Sequence, residues 1–174
     1  WHDIEVEDDV TAYAEYENGA IGVFITSTGD TPGTNRFEIT LDGGKLVCED
    51  TKKLTLYRLA TSEPEFSRTN KKPFGKPECE IINVETDGEN PQHSGVLNAF
   101  AGAILRGEKL VADGREGING LMISNAMHLS SWTGKPVSLP FDEELFRKEL
   151  FKRVKNSRRK DTISSVVADT EGTY

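Results

Sequence analysis

The chain has 174 residues, 36% of them hydrophobic and 29% charged, which is a globular balance and excludes an intrinsically disordered protein. Its formal net charge of −8 argues against a nucleic-acid partner, because binding to the phosphate backbone depends on clustered Lys and Arg. The longest apolar run, residues 19–25, is too short to span a bilayer. We therefore expect one soluble domain that binds neither nucleic acid nor membrane.

The first half of the chain alternates between apolar and polar residues with a period of two, which is typical of strands with one buried face. Turns are expected at Asn18-Gly19, at Pro32-Gly33 and at Asp42-Gly43-Gly44, where residues that tolerate positive φ or fix a turn follow one another. Residues 70–77, interrupted by prolines and a glycine, are expected to cross an edge of the sheet. The expected strands are residues 10–17, 20–27, 36–41, 45–49, 53–59 and 79–84.

The period changes near residue 90 to a three- and four-residue spacing of apolar side chains, which predicts helices. Gly107 and Gly134 are expected to end the first two helices, Asp113 to cap the second, and Asp142 to open the third. The expected helices are residues 92–106, 117–132 and 142–155. Strands followed by helices predict an α+β fold, a mostly antiparallel open-faced sheet of about six strands with the helices packed on one face.

Several short motifs occur in an order that resembles a known family. They are Glu7-Asp8-Asp9-Val10-Thr11-Ala12, Asn18-Gly19-Ala20, Pro32-Gly33, Arg36-Phe37-Glu38-Ile39, Leu97-Asn98-Ala99-Phe100, Asp113-Gly114-Arg115-Glu116-Gly117-Ile118, Ser130-Ser131-Trp132 and Leu139-Pro140-Phe141-Asp142. Together they resemble the C-terminal, substrate-binding and oligomerisation domain of the Gfo/Idh/MocA family of NAD(P)-dependent oxidoreductases. The resemblance implies that residues 1–155 are this domain and that residues 156–174 are a tail extension.

In relatives, one face of this sheet roofs the substrate pocket and the other surface makes oligomer contacts, while NAD or NADP and the lysine of a Glu-Lys-Pro motif belong to a preceding Rossmann domain. This chain contains no Gly-x-Gly-x-x-Gly after a strand and no Glu-Lys-Pro. Nothing in it corresponds to the family's Asp/His pair, and the N-terminal Rossmann domain is absent from this chain. We therefore expect it to have no catalytic, cofactor-binding or metal-binding residues and to be inactive alone.

The resemblance implies that the whole protein is a dehydrogenase that uses NAD or NADP and acts on a sugar, inositol or related polyol. It also implies a homodimer or tetramer that forms through the open sheet face. One alternative is a stand-alone ligand-binding or assembly module with the same sheet and no catalytic half. Another is a secreted lectin-like domain, for which paired cysteines or a leader would be expected. Cys48 and Cys79 are instead typical of reduced thiols, which favours a cytoplasmic location.

Polar side chains gather at one predicted end of the sheet and at the entrance to the first helix. Hydroxyl, amide and guanidinium groups there could bind polyol hydroxyls or a carboxylate. The alternative is that they cap the ends of strands, and that the histidine caps or solvates the start of the helix. The candidate substrate-binding residues are Thr26, Ser27, Thr28, Asn35, Arg36 and His93.

Other ionisable residues are given mainly structural interpretations. Glu7, Asp8 and Asp9 could hold a hard cation, but further ligands are missing at loop spacing, so a solvated strand entrance is the better interpretation. His128, inside the second helix, is expected to be a packed or surface residue. The basic residues of 152–160 complement the dipole of the third helix, and they could also meet an acidic partner subunit.

Overall fold

The computed structural model describes residues 2–89 and 91–158, so most of the predicted tail lies outside the described residues. The fold is α+β with antiparallel sheets, as predicted. The elements are β1 (Asp9–Glu15), β2 (Ile21–Ser27), β3 (Arg36–Leu41), β4 (Gly44–Glu49), β5 (Lys53–Leu59), α1 (Glu63–Thr69), β6 (Cys79–Val84), α2 (Gln92–Arg106), a 3₁₀ turn (Gly114–Glu116), α3 (Gly117–Thr133) and α4 (Glu143–Asn156).

The six strands form two sheets, not the single sheet that the sequence suggested. β1 pairs with β2, and a second sheet has the order β3-β4-β5-β6. The chain divides into two compact units, whose described parts are residues 2–26 with 112–158, and residues 27–89 with 91–111. The β1–β2 hairpin, α3 and α4 belong to the first unit, and the four-stranded sheet with α1 and α2 belongs to the second.

In the first unit, local capping sets the bounds of the helices. The Asp113 carboxylate accepts the Arg115 N–H at 2.9 Å, so it caps the 3₁₀ turn that leads into α3, where the sequence suggested a cap of the helix itself. α3 ends at Gly134, whose left-handed φ of 67° lets the chain leave the helix. Asp142 caps α4 by accepting the Leu145 N–H at 3.0 Å. Leu129 on α3 is 2% exposed and anchors the small core of this unit.

In the second unit, a two-residue turn at residues 42–43 joins β3 to β4, as the Asp-Gly-Gly motif predicted. Gly44 is required at the end of this turn, because a Cβ there would lie 1.9 Å from the carbonyl oxygen of Tyr57. Val47 and Thr55, which form a cross-strand pair, are buried at the centre of the sheet. α2 ends at Gly107, in the left-handed conformation that the sequence predicted.

The helix α1 was not predicted from the sequence.

No described helix is both long enough and apolar enough to cross a membrane.

Candidate functional site

The register of the four-stranded sheet separates its side chains into two chemically different faces. Directly paired residues, and residues two apart along a strand, point to the same side. Arg36 pairs with Glu49, and Glu38 pairs with Val47, so these four share a side. The charged face consists of Arg36, Glu38, Thr40, Lys45, Val47, Glu49, Lys53, Thr55, Tyr57, Ile81 and Asn83, with Leu59 and Cys79 at one end.

Ion pairs across strands connect the charged face. Arg36 donates from Nη2 to Glu38 Oε2 at 2.7 Å and from Nη1 to Glu49 Oε1 at 2.9 Å. Lys45 Nζ lies 3.0 Å from Glu38 Oε1 and 5.4 Å from the centre of the Tyr57 ring. The face therefore carries a fixed array in which cationic donors alternate with carboxylate acceptors.

The hydrogen bonds of this array favour the charged forms of Arg36 and Glu38. The hydrogen bond to Glu38 raises the pKa of Arg36, and the hydrogen bond from Arg36, followed by that from Lys45, lowers the pKa of Glu38. The Arg36 and Glu38 side chains are 41% and 35% exposed, so water or a ligand can reach both. Such a surface can donate hydrogen bonds to hydroxyl oxygens and accept them from hydroxyl hydrogens.

The fold brings only some of the predicted substrate-binding residues close to one another. Arg36 lies on the charged face, and the Asn35 carbonyl accepts the Asp50 N–H at 2.9 Å, which places both residues beside the end of β4. Ser27 Oγ accepts the Gly29 N–H at 3.1 Å, the type of contact expected of strand-end capping.

The other predicted site residues are exposed. Thr26, near the end of β2, belongs to the other unit, and Thr28 lies just after that strand. His93 lies in the first turn of α2.

The sequence interpretation missed the partners of Arg36, namely Glu38, Lys45 and Glu49. The signal was present, because charged residues at i and i+2 or i+4 of a strand share one face. The pairing itself depends on the register between β3 and β4, which the alternation within each strand does not give.

The opposite, apolar face of the sheet is accessible. Phe37 is 65% exposed, Leu41 60% and Ile39 40%. No residue of this face is buried. The apolar face consists of Phe37, Ile39, Leu41, Leu46, Cys48, Leu54, Leu56, Ile82 and Val84, with Arg58 and Glu80 at one end.

The first unit, which contains α3 and α4, has a groove of about 660 Å³. Its wall includes Trp132, whose ring stacks on Phe146 with centroids 5.4 Å apart and lies 4.2 Å from the Arg153 guanidinium carbon. His128 Nδ1 is 3.0 Å from Glu7 Oε1, and the imidazole lies 5.4 Å from the Trp132 ring. His128 is therefore a half-buried residue that contacts a carboxylate, whereas the sequence suggested only a packed or surface residue.

Two residues of the N-terminal acidic cluster, Glu7 and Asp8, contact histidine side chains. The His2 Nδ1 lies 2.9 Å from Asp8 Oδ2, and the His2 main-chain N–H donates to the same oxygen at 3.0 Å. The side-chain contact, followed by the main-chain one, lowers the pKa of Asp8 to about 2. Glu7 is paired with His128. Within residues 2–89 and 91–158, no three His, Cys, Asp or Glu side chains are grouped so as to hold a metal ion.

Two residues of the basic run form ion pairs within α4 itself. Lys152 and Arg153 both pair with Glu149, the latter at 3.1 Å, and these contacts lower the pKa of Glu149. Arg159 and Lys160 lie outside the described residues.

No protein-family model matches this chain, and no curated protein matches it at a significant level.

Proposed function

We propose that this chain is the substrate-binding and oligomerisation part of an NAD(P)-dependent oxidoreductase that acts on a sugar, inositol or related polyol. The observation that carries the proposal is the two-faced sheet. One face presents paired charged groups at the surface, and the other presents accessible apolar side chains. These are the properties that a substrate roof and an assembly surface need.

The charged face suits a polyol because each hydroxyl is both a donor and an acceptor. The carboxylates of Glu38 and Glu49 can accept hydrogen bonds from hydroxyls. Arg36 contacts these carboxylates through three of its N–H groups, which leaves the rest of its donors for a ligand. Because the ion pairs already fix the guanidinium, little side-chain entropy is lost when a substrate binds.

The apolar face suits a second copy of the chain. With strands of six or seven residues at ~3.4 Å per residue and ~4.8 Å between strands, the face covers roughly 400 Å² per copy. A face-to-face pair would thus bury about 800–1,000 Å², near the lower limit of specific interfaces. We expect a homodimer that depends on concentration, or a tetramer in which other surfaces contribute.

In the whole enzyme, hydride transfer from a carbinol carbon would require NAD or NADP, which a separate dinucleotide-binding part would hold. The role of this chain is to orient the hydroxyls. Cys48 and Cys79 are both free thiols, which supports a reducing, cytoplasmic location.

The gene itself provides the first test. Upstream of the Trp1 codon, in the same reading frame, we expect a βαβ segment with a glycine fingerprint and a Glu-Lys-Pro motif. The purified gene product should then reduce NAD⁺ or NADP⁺ with at least one member of a panel of sugars, inositols and linear polyols. A start codon directly before the Trp1 codon would contradict the proposal and favour the stand-alone ligand-binding module.

A further inference from the structure

The segment 2–8, which we call the strap, contains no helix or strand and is held on α3 and at the end of α4 by two carboxylates. Glu5 Oε2 accepts from Ser157 Oγ at 2.5 Å, and Glu5 Oε1 accepts the Arg158 N–H at 2.9 Å. Glu7 pairs with His128 at 3.0 Å. The strap therefore has one attachment at the end of α4 and another on α3.

The two attachments should depend on each other. Glu5 and Glu7 are separated by one residue, so closing either contact raises the effective concentration of the other. Val6, between them, is 66% exposed and contributes little apolar burial. The polar contacts of Glu5 and Glu7 therefore contribute more than Val6 does to holding the strap in place.

The His128 attachment contains a group that changes charge near neutral pH. Histidine is the side chain that ordinarily gains or loses its proton between about pH 5 and 8. A charged imidazolium attracts the Glu7 carboxylate, whereas a neutral ring offers only a hydrogen bond. The ionisable groups around the His128 side chain are Glu5 and Glu7 of the strap and Arg153 of α4.

The charge on Arg153 does not cancel the attraction between His128 and Glu7. Arg153 pairs with Glu149 on its own helix at 3.1 Å and lies over the Trp132 ring. His2, the other histidine of this region, is held by Asp8 within the strap.

We propose that the strap is a pH-dependent wall of the groove lined by Trp132, Phe146 and Leu150, fastened when His128 is protonated and loosened when it is neutral. Glu5, Val6 and Glu7 line the groove beside these residues, so the strap sets its width. This inference does not depend on the proposed oxidoreductase function.

The backbone N–H of Arg158 reports on the strap, because it is bound by Glu5 only while the strap is fastened. Its exchange with water, measured by NMR and divided by the rate of an unstructured peptide at the same pH, should be slower at pH ~6 than at pH ~8 in the wild type. Exposed ion pairs of this kind change equilibria by roughly two- to fivefold, which is the expected size of the effect.

Three variants, one of them a control, test whether the strap causes this pH dependence of Arg158 exchange. Glu7→Gln should speed Arg158 exchange at pH ~6 by that two- to fivefold factor although it does not contact Arg158, while Glu17→Gln, which removes the same charge in the hairpin turn, should leave it unchanged. His128→Phe, which keeps an aromatic ring beside Trp132, should abolish the pH dependence. Unchanged exchange in Glu7→Gln would overturn the coupling of the two attachments. A pH dependence that survives in His128→Phe would assign it to His2 and would also overturn the proposal.

Discussion

Phe37→Asp should break the association of two copies through the apolar face. Phe37 is 65% exposed, so the change costs the folded monomer little. Burying that exposed fraction in an interface is worth about 1–2 kcal/mol per copy, since complete burial of a Phe side chain contributes roughly 1.5–3 kcal/mol. A symmetric dimer uses the residue twice, so the loss is about 2–4 kcal/mol, which raises the dissociation constant roughly 30- to 700-fold.

Sedimentation velocity over a concentration series measures this directly. The wild type should move from one chain mass of 19.3 kDa toward twice that mass as its concentration rises, and Phe37→Asp should stay near 19.3 kDa. Thr40→Asp is the matched control, because it places the same charge on the same strand but on the charged face. A wild-type mass that does not rise with concentration, or equal association in both variants, would refute the reasoning.

The caps, the ion pairs and the sequence motifs give three further expected outcomes. Asp142→Ala removes the cap that accepts the Leu145 N–H and should lower the free energy of unfolding in urea by about 1 kcal/mol, whereas Glu143→Ala beside it should have little effect. Because Arg36 lowers the pKa of Glu38, this carboxylate stabilises the fold above its unfolded pKa of about 4.3 and loses that contribution as the pH falls through its lower folded pKa. Between neutral pH and about pH 3, the melting temperature of Glu38→Gln should therefore fall less than that of the wild type. An equal fall in the two proteins would contradict the pairing of Glu38 with Arg36. Finally, fluorescence titration of the chain with NADH should give no saturable signal, and a micromolar binding curve would count against the assignment of the cofactor to a separate part of the enzyme.

Helices that depend on local signals were predictable. The bounds of α2 match those expected from the apolar spacing of residues 92–106, and Gly107 ends the helix as predicted. A glycine stop is a local property of the backbone, so it can be recognised without knowledge of the rest of the fold. The predicted strands at residues 36–41, 53–59 and 79–84 are also confirmed, because the alternation of apolar and polar residues within a strand is likewise a local signal.

The helix α1 was missed although its sequence carries a start signal. Ser62 is followed by Pro64 in the first turn and by Glu65 three positions after the serine, which is a pattern of helix N-termini. Only seven residues follow, too few to show a helical period.

The division of the strands into two sheets and the contents of the candidate site were not predictable from periodicity. Alternation shows that a strand has two faces, but it does not show which strands pair. The contact between His128 and Glu7 joins residues from opposite ends of the chain, and no local pattern contains it. Arg36 was recognised because it follows a turn, whereas its partners depend on the register of β3 against β4.

The kinetics of the Arg36→Gln variant in the complete gene product show whether the charged face binds the hydroxyls of a polyol during nicotinamide-dependent oxidation. Loss of charged hydrogen bonds at a partly exposed site should raise KM for the polyol roughly tenfold with kcat nearly unchanged, while Arg68→Gln, an exposed arginine on α1, should behave as the wild type. Equal KM values in the two variants, or a product that reduces neither nucleotide with any polyol, would contradict the account.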